Sequence, residues 1–398
     1  MARAIDFRGI ELGKDCVFSN TRAGLEQLVQ WMKELGREHA KSDVLFGIES
    51  TGHYWFTLAE YLKKQGIPLV IVNPHHVHKS KELEDNSPTK NDYKDAKVIA
   101  DLVRNGKYSE PKLPASIYAD LRILMNLREK IMVNLGQVQR RVQNWQDRFF
   151  PEYTQVFKDW KGKASRITLQ EFPTPGEIVE LGAEAIVQRW KKDVKRAVGT
   201  KRTRQLVETV RSSIGLTEGL PAAKIEIKTL LEQYDMFARQ LEEILAEVER
   251  LLSQIPGTKE MLTVPGVAVV TLAGFLAEVG FKGLRAWTAD YTAGRTESQR
   301  EQLREEKRKI QYTKRGRARL RALLFRAVMP MVAKNAEFKA LHQYFTKRSQ
   351  NPLKKKQSIV ALCGELIRVL HMLGTKQIRY DANDVLGPVR EAQLQKTA

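Results

Sequence analysis

The stretch Val44-Leu-Phe-Gly-Ile-Glu-Ser-Thr-Gly-His-Tyr-Trp55 decides the fold of the first part of the chain. Val44–Ile48 is a short apolar run, which is typical of a buried strand, and Glu49 follows it directly. A helix pattern then runs from about Tyr54 to Lys64, and the apolar run Ile67–Val72 predicts a second strand. Strands that alternate with helices indicate an α/β domain.

The residues before this stretch continue the pattern. Arg8-Gly9 is a turn signal between two strand patterns, Ala2–Phe7 and Ile10–Ser19, and it predicts a hairpin. Thr21 is a suitable N-cap for a helix. The apolar residues of that helix are Leu25, Leu28, Val29, Met32 and Leu35. We assign residues 1–110 to one α/β domain.

Beyond residue 110 the periodicity is helical. Apolar residues recur at alternating spacings of four and three in two places, which predicts two long helices with coiled-coil seams. The seams are Ile131, Leu135, Val138, Val142, Trp145, Phe149 and Leu230, Tyr234, Phe237, Leu241, Ile244, Val248, Leu251, Ile255. Pairing between two copies and packing within one chain both satisfy this pattern.

Pro256-Gly257 ends the second long helix, so residues 111–257 are predicted to form a helical, coiled-coil linker. Residues 258–375 follow as an α-helical C-terminal domain, with an apolar helix ending at Ala277 and another at Ser358–Leu373. Residues 376–398 are predicted to be a polar tail.

The charge of the chain is concentrated after residue 110. The 398 residues carry 67 Lys and Arg against 47 Asp and Glu, a net charge of +20. Residues 1–110 contain 16 of each class, so the whole excess lies in the helical part. Such an excess favours binding to phosphate polyanions through counterion release, and a merely soluble basic surface is the alternative.

Three carboxylates are candidate metal ligands. Glu49 lies at the carboxyl end of a predicted strand, where α/β sheets place ligands. Asp92 and Asp95 lie three residues apart at the start of a predicted helix, and therefore share one face. Acidic residues are also common in a first helical turn for dipole reasons alone. The functional interpretation is a Mg²⁺ site for phosphoryl transfer.

Together these motifs resemble a known family. The sequence G-x-E-x-T-G-H-Y-W at Gly47–Trp55 is followed by D-x-x-D-A at Asp92–Ala96, by V-P-G-V at Val264–Val267 and by K-R-G-x-x-x-L-R at Lys314–Arg321. In this order they are similar to the DEDD transposases of the insertion sequence 110 family. The resemblance implies a RuvC-like, ribonuclease-H-like first domain, and it makes Glu49, Asp92 and Asp95 ligands of Mg²⁺.

The resemblance also implies partners. Members of this family recombine DNA with a structured guide RNA and a serine nucleophile, so DNA, such an RNA and further copies of the chain are the expected partners. We expect no membrane partner, because no apolar run approaches the roughly 20 residues of a membrane span. The expected location is the cytoplasm, in association with the nucleoid.

The chain departs from the family pattern at its first residues. The family's first Asp lies on the first strand of the sheet, and Met1–Phe7 matches the second strand instead. Asp6 would lie on the wrong strand to replace it. We therefore expect an incomplete sheet that lacks its first strand.

A second departure concerns the serine. In the segment where the family has its nucleophile, Ser298 is the one serine, and its Gln and Glu neighbours do not resemble the family motif. Within residues 281–309, the run Thr292–Arg304 can be back-translated with permitted codons, one base out of frame, into the family string, with the serine pair encoded across Gln302–Arg304. A frameshift is one hypothesis for this segment, and the codons of the gene test it.

One predicted helix is strongly basic. Its cations are interleaved with leucines and a phenylalanine, which favours phosphate contact, and a solvated face is the alternative. The candidate nucleic-acid-binding residues are Lys314, Arg315, Arg317, Arg319, Arg321 and Arg326.

These observations predict a transposase that cleaves and exchanges DNA strands, with its activity impaired by the two departures. A catalytically inactive nucleic-acid-binding remnant is the first alternative. A RuvC-like nuclease that uses metal alone is the second, and the missing Asp weighs against it.

Overall fold

The computed structural model describes residues 1–50, 52–84, 92–111, 116–194, 200–280, 318–349 and 351–383. The chain divides into two compact units, Met1–Leu113 and Pro114–Ala398. The described residues are mostly helical, and their single sheet has two parallel strands. This small sheet is all that is seen of the larger ribonuclease-H-like sheet that the resemblance implies.

The first unit alternates helices and strands, as its sequence predicts. Strand β1 pairs in parallel with β2, and the register runs from Phe46 opposite Leu69 to Glu49 opposite Val72. The elements in chain order are α1 (Arg22–Glu38), β1 (Phe46–Glu49), α2 (Trp55–Lys64), β2 (Leu69–Val72), α3 (Pro74–Glu84) and α4 (Asp92–Arg104).

The N-terminal hairpin is shorter than predicted. Instead of two continuous strands, the structure has isolated antiparallel bridges between Ala2 and Cys16 and between Ile5 and Glu11. The Asp6 carboxylate accepts hydrogen bonds from the Arg8 and Ile10 backbone N–H groups, both at 2.9 Å, and thereby holds the turn. The prediction of a hairpin around Arg8-Gly9 is confirmed, and the prediction of its strand lengths is wrong.

A cavity of about 750 Å³ lies within the first unit. It is lined by residues of the hairpin, of β1 and of α4, among them Ile5, Phe46 and Ala100. Among the described residues, no strand pairs with the edge of β1 opposite β2. The hairpin and β1 therefore leave between them a space that backbone pairing does not close.

In the second unit the two long helices pack against each other within the chain. Helix α5 (Ile117–Phe149) and helix α10 (Leu220–Ser253) bury their predicted seams against one another. Near the end of α5, the buried Trp145 donates a hydrogen bond from Nε1 to the carbonyl oxygen of Ala223, at 2.8 Å. Packing within one chain thus accounts for the pattern that sequence alone left open.

Among the described residues between α5 and α10, four shorter helices enclose an aromatic core. Trp190, Tyr153 and Phe172 are almost fully buried there. The Tyr153 hydroxyl contacts the Ser165 hydroxyl at 2.7 Å, which provides a polar partner for a buried group. The four helices are α6 (Tyr153–Val156), α7 (Lys163–Glu171), α8 (Pro175–Asp193) and α9 (Thr200–Arg211).

The last part of the second unit is a helical core. Its described elements are α11 (Thr258–Met261), α12 (Val269–Val279), α13 (Ala318–Lys334), α14 (Ala336–Lys347) and α15 (Lys355–Lys376). Helix α15 is long and apolar enough to cross a membrane, contrary to the expectation that no segment of the chain is. Its buried residues instead pack in the C-terminal core, as those of a core helix do.

Candidate active site and nucleic-acid interface

Glu49 is the last residue of β1 and is partly exposed, so the structure places it at a strand end, as predicted. Helix α4 crosses this strand closely. A Cβ atom at Gly47 would lie 2.4 Å from the Cγ2 atom of Val103, so glycine is needed for the helix to approach. The strand that carries Glu49 and the helix that carries Asp95 are therefore in direct contact.

Asp95 lies in the first turns of α4, and its carboxylate forms a salt bridge with the ammonium group of Lys81 on α3. Both side chains are largely covered, with 23% of Asp95 and 30% of Lys81 exposed. Helix α4 begins at Asp92, whose side chain lies outside the described residues. Where side chains are described, no three His, Cys, Asp or Glu residues lie close enough together to hold a metal ion.

The donor atoms at this site still suit a divalent cation. Carboxylate oxygens are the ligands that Mg²⁺ prefers. One of these carboxylates, that of Asp95, already forms a salt bridge with the ammonium group of Lys81. A metal ion at Asp95 would have to displace that ammonium group. The carboxylate ligands are therefore of the kind that binds Mg²⁺, and Lys81 competes with the ion for Asp95.

Asp6 is not available as a further ligand. It is 7% exposed, and its carboxylate accepts from the Arg8 and Ile10 N–H groups and from the Arg8 guanidinium. Burial opposes its ionisation, but these hydrogen bonds prevail and lower its pKa. Asp6 thus stabilises the hairpin turn, in agreement with its predicted unsuitability as a catalytic residue.

The histidines after Asn73 do not form a metal site in the described structure. His75, His76 and His78 lie on α3, and His78 Nε2 is 3.5 Å from a Glu82 carboxylate oxygen. This pair is an ordinary contact one helical turn apart.

Part of the predicted basic helix is α13. Arg319, Arg321 and Arg326 lie on it, whereas Lys314, Arg315, Arg317 and the weak nucleophile candidate Ser298 lie outside the described residues. Arg319 donates a hydrogen bond to the Asn126 side chain on α5. The guanidinium groups of Arg319 and Arg326 each lie 3.8 Å from an oxygen of Glu129. Two of the predicted cations thus face α5.

A cleft of about 390 Å³ lies between α5, α12 and α13. Arg122 on α5 lines it and contacts the end of α12, since its Nε atom donates to the Ala277 carbonyl at 3.2 Å and its guanidinium lies 3.6 Å from Glu278. Gly266, in the V-P-G-V turn, also lines the cleft. Its φ of +97° is in the region that favours glycine.

Comparison with known proteins finds similarity to transposases. Residues 1–151 match the family model of the insertion sequence 110 DEDD transposases, described as "Transposase". The chain is also 23% identical over 288 residues to the "Mini-circle putative transposase for IS117" of Streptomyces coelicolor, which covers 69% of this chain and 67% of that protein. Over residues 1–151 the chain is thus similar to the insertion sequence 110 transposases. This similarity supports a transposase of a mobile element, and the matched family implies action on DNA and the use of divalent metal ions.

The family match covers more of this transposase than the carboxylates. It includes Glu49, Asp92 and Asp95, and it extends through the whole of α5 with the cleft residues Arg122 and Glu129. The sequence did not predict the α5 residues of the cleft. The apolar seam of α5 shows which face of the helix is buried, but not which of its polar residues contact α13. The sequence also offers no signal for Lys81.

Proposed function

We propose that this transposase cleaves and joins DNA strands at the ends of an insertion sequence, with Glu49, Asp92 and Asp95 as its metal-binding carboxylates. One observation carries the proposal: the matched residues 1–151 contain all three, with Glu49 at the end of β1 and Asp95 on the helix that crosses it. A ribonuclease-H-like fold for the first unit belongs to the same proposal.

The chemistry assigned to each part follows from its charge. A bound Mg²⁺ ion would neutralise charge on the scissile phosphate and activate the attacking oxygen. Glu49, Asp92 and Asp95 would hold such an ion, and the ammonium group of Lys81, which pairs with Asp95, would compete with it. The helices of the second unit bind the nucleic-acid backbone, since the second part of the chain carries the whole positive excess. A structured RNA and further copies of the chain are proposed partners.

We further propose that strand exchange by this chain is impaired. The sheet that carries Glu49 has two strands in the described structure, and the family's serine motif has no clear match in the sequence. Nucleic-acid binding without strand exchange is therefore the second candidate function.

Binding and exchange are tested separately. The purified protein is mixed with element-end DNA, with and without structured RNA, and complex formation is measured at two salt concentrations. We expect binding that weakens with salt. Cells that express only this polypeptide are then searched for precise circular-element junctions. No DNA or RNA binding would contradict the proposed function, and abundant precise junctions would contradict impairment.

The metal ligands are tested by calorimetric titration with Mn²⁺, which does not depend on activity. Glu49→Gln and Asp95→Asn should each weaken Mn²⁺ binding by about tenfold or more, because each removes a charged oxygen ligand. Glu60→Gln on α2 is the matched control, since Glu60 is an exposed carboxylate of the same unit. Equal Mn²⁺ affinity in all three variants would remove the metal site from the proposal.

A further inference from the structure

The cleft between α5, α12 and α13 carries an unusual charge distribution. Its charged lining residues are four arginines and two glutamates, at the junction of three packed helices. They are Arg122, Arg128, Arg319, Arg326, Glu129 and Glu278. The cations therefore outnumber the carboxylates within one concave site of about 390 Å³.

Ion pairing inside the cleft is uneven. Arg122 has Glu278, and Arg319 and Arg326 share the two oxygens of Glu129. No carboxylate of the described structure forms an ion pair with Arg128, although Arg128 lines the same cleft. Among the described residues that line the cleft, Arg128 is therefore the cation without a carboxylate in ion-pair distance.

The surroundings make this charge costly. Arg128 is partly buried, and lost solvation followed by repulsion from Arg326 lowers its pKa, with Glu129 acting in the opposite direction. Arg128 and Arg326 line the same cleft, and two guanidinium groups at one concave site attract an anion into it. Guanidinium groups bind phosphate oxygens through paired N–H donors, and they are the usual groups for this purpose.

We propose that this cleft binds a phosphate group of a nucleic-acid backbone between Arg128 and Arg326. The nucleic-acid source of the phosphate rests on the proposed function, whereas the anion site itself rests on the charges of the cleft. The site adds Arg128, on the long helix α5, to the basic residues of α13. It also assigns a role to the junction of the three helices: it fixes two guanidinium groups at one phosphate.

The first test is the salt dependence of binding to a DNA duplex of unrelated sequence. Loss of one phosphate contact should make the slope of log K against log salt shallower by about 0.9 in Arg128→Gln. Arg128→Lys, which keeps the charge, should retain most of the slope. Arg140→Gln is the matched control, because Arg140 is an exposed arginine on the same helix.

The second test uses inorganic phosphate as the probe and requires no nucleic acid. Phosphate should raise the melting temperature of the wild type more than chloride does at equal ionic strength and pH. Arg128→Gln should lose that difference, and Arg140→Gln should keep it. If Arg128→Gln behaves as Arg140→Gln does in both tests, the site is refuted. A phosphate effect that depends on Arg128, without any DNA or RNA binding, would support the site and contradict the proposed function.

Discussion

The two units of this transposase are packed very differently. Among the described residues, the first unit buries its apolar side chains in two small clusters of eight and four residues, next to a cavity of about 750 Å³. The second unit has two clusters of 29 and 21 residues. Dense packing fixes side-chain positions, and cavities leave them less constrained. The proposed nucleic-acid contacts thus lie on a well-packed unit, whereas the proposed metal ligands lie on a unit with small apolar clusters and a cavity.

The strongest test of this contrast removes a buried side chain from each unit. Trp145→Ala should lower the free energy of unfolding of the second unit by about 3–5 kcal/mol, because it leaves a cavity and removes the indole hydrogen bond to the Ala223 carbonyl. Leu28→Ala in the first unit should cost about 2–3 kcal/mol, at the low end for a buried leucine. Urea unfolding followed by circular dichroism measures both. A larger loss of unfolding free energy in Leu28→Ala than in Trp145→Ala would contradict the proposed difference in packing.

The second test addresses the salt bridge at the proposed metal site. Lys81→Met should strengthen Mn²⁺ binding by roughly three- to tenfold, since it removes a competing positive charge from Asp95. Calorimetric titration gives the affinity directly. Lys64→Met is the control, because Lys64 pairs with Glu60 at an exposed position of the same unit. Unchanged or weaker Mn²⁺ binding in Lys81→Met would mean that Lys81 does not compete with metal.

The third test fills the cavity of the first unit. Ala100→Leu places three more carbon atoms against it and should stabilise this unit by about 1 kcal/mol. Ala23→Leu, at an exposed position of α1, is the control and should change stability by less than about 0.5 kcal/mol. Thermal unfolding measures both variants. If Ala100→Leu destabilises the unit, the space is not open to a larger side chain.

The smallest expected effect concerns a helix cap in the second unit. The Glu177 carboxylate accepts from the backbone N–H and hydroxyl of Thr174, at 3.2 and 2.8 Å, and from Lys224 at 2.6 Å. Burial raises its pKa, but the hydrogen bonds from Lys224 and Thr174 outweigh burial and lower it overall. The ionised form is therefore stabilised in the folded state, and this contribution is lost as the pH falls through the folded pKa.

Glu177→Gln should accordingly lower the free energy of unfolding by about 0.5–1 kcal/mol at neutral pH, a modest value because the pair is partly exposed. The difference from wild type should shrink below about pH 4, where the unfolded carboxyl group becomes protonated. Urea unfolding across that range measures it. A difference that grows on acidification would contradict the sign of the pKa shift.

Local sequence signals predicted much of the fold. Thr21 was expected to cap α1, and its Oγ1 atom accepts a hydrogen bond from the Gly24 N–H at 3.3 Å. The alternating apolar spacing of α5 and α10 predicted both helices, because each helix buries one stripe of its own surface. Such features depend on residues a few positions apart.

Long-range contacts could not be predicted in the same way. The pairing of Lys81 with Asp95 depends on how α3 packs against α4. Arg128 lies outside the apolar seam of α5, so the sequence does not show that it lines a cleft with α12 and α13. The hairpin strands were predicted too long because strand propensity does not show whether a neighbouring strand is present to pair. Whether Glu49, Asp92 and Asp95 converge on a metal stays a prediction.

The hydrogen bond between Trp145 and Ala223 joins residues that are 78 positions apart. At synthesis rates of about 5–20 residues per second, a ribosome needs about 4–16 s to make that interval. For that time the apolar seam of α5 has left the ribosome without α10 to cover it. The apolar seam of α5 is thus exposed to other apolar surfaces during synthesis, although the finished protein buries it.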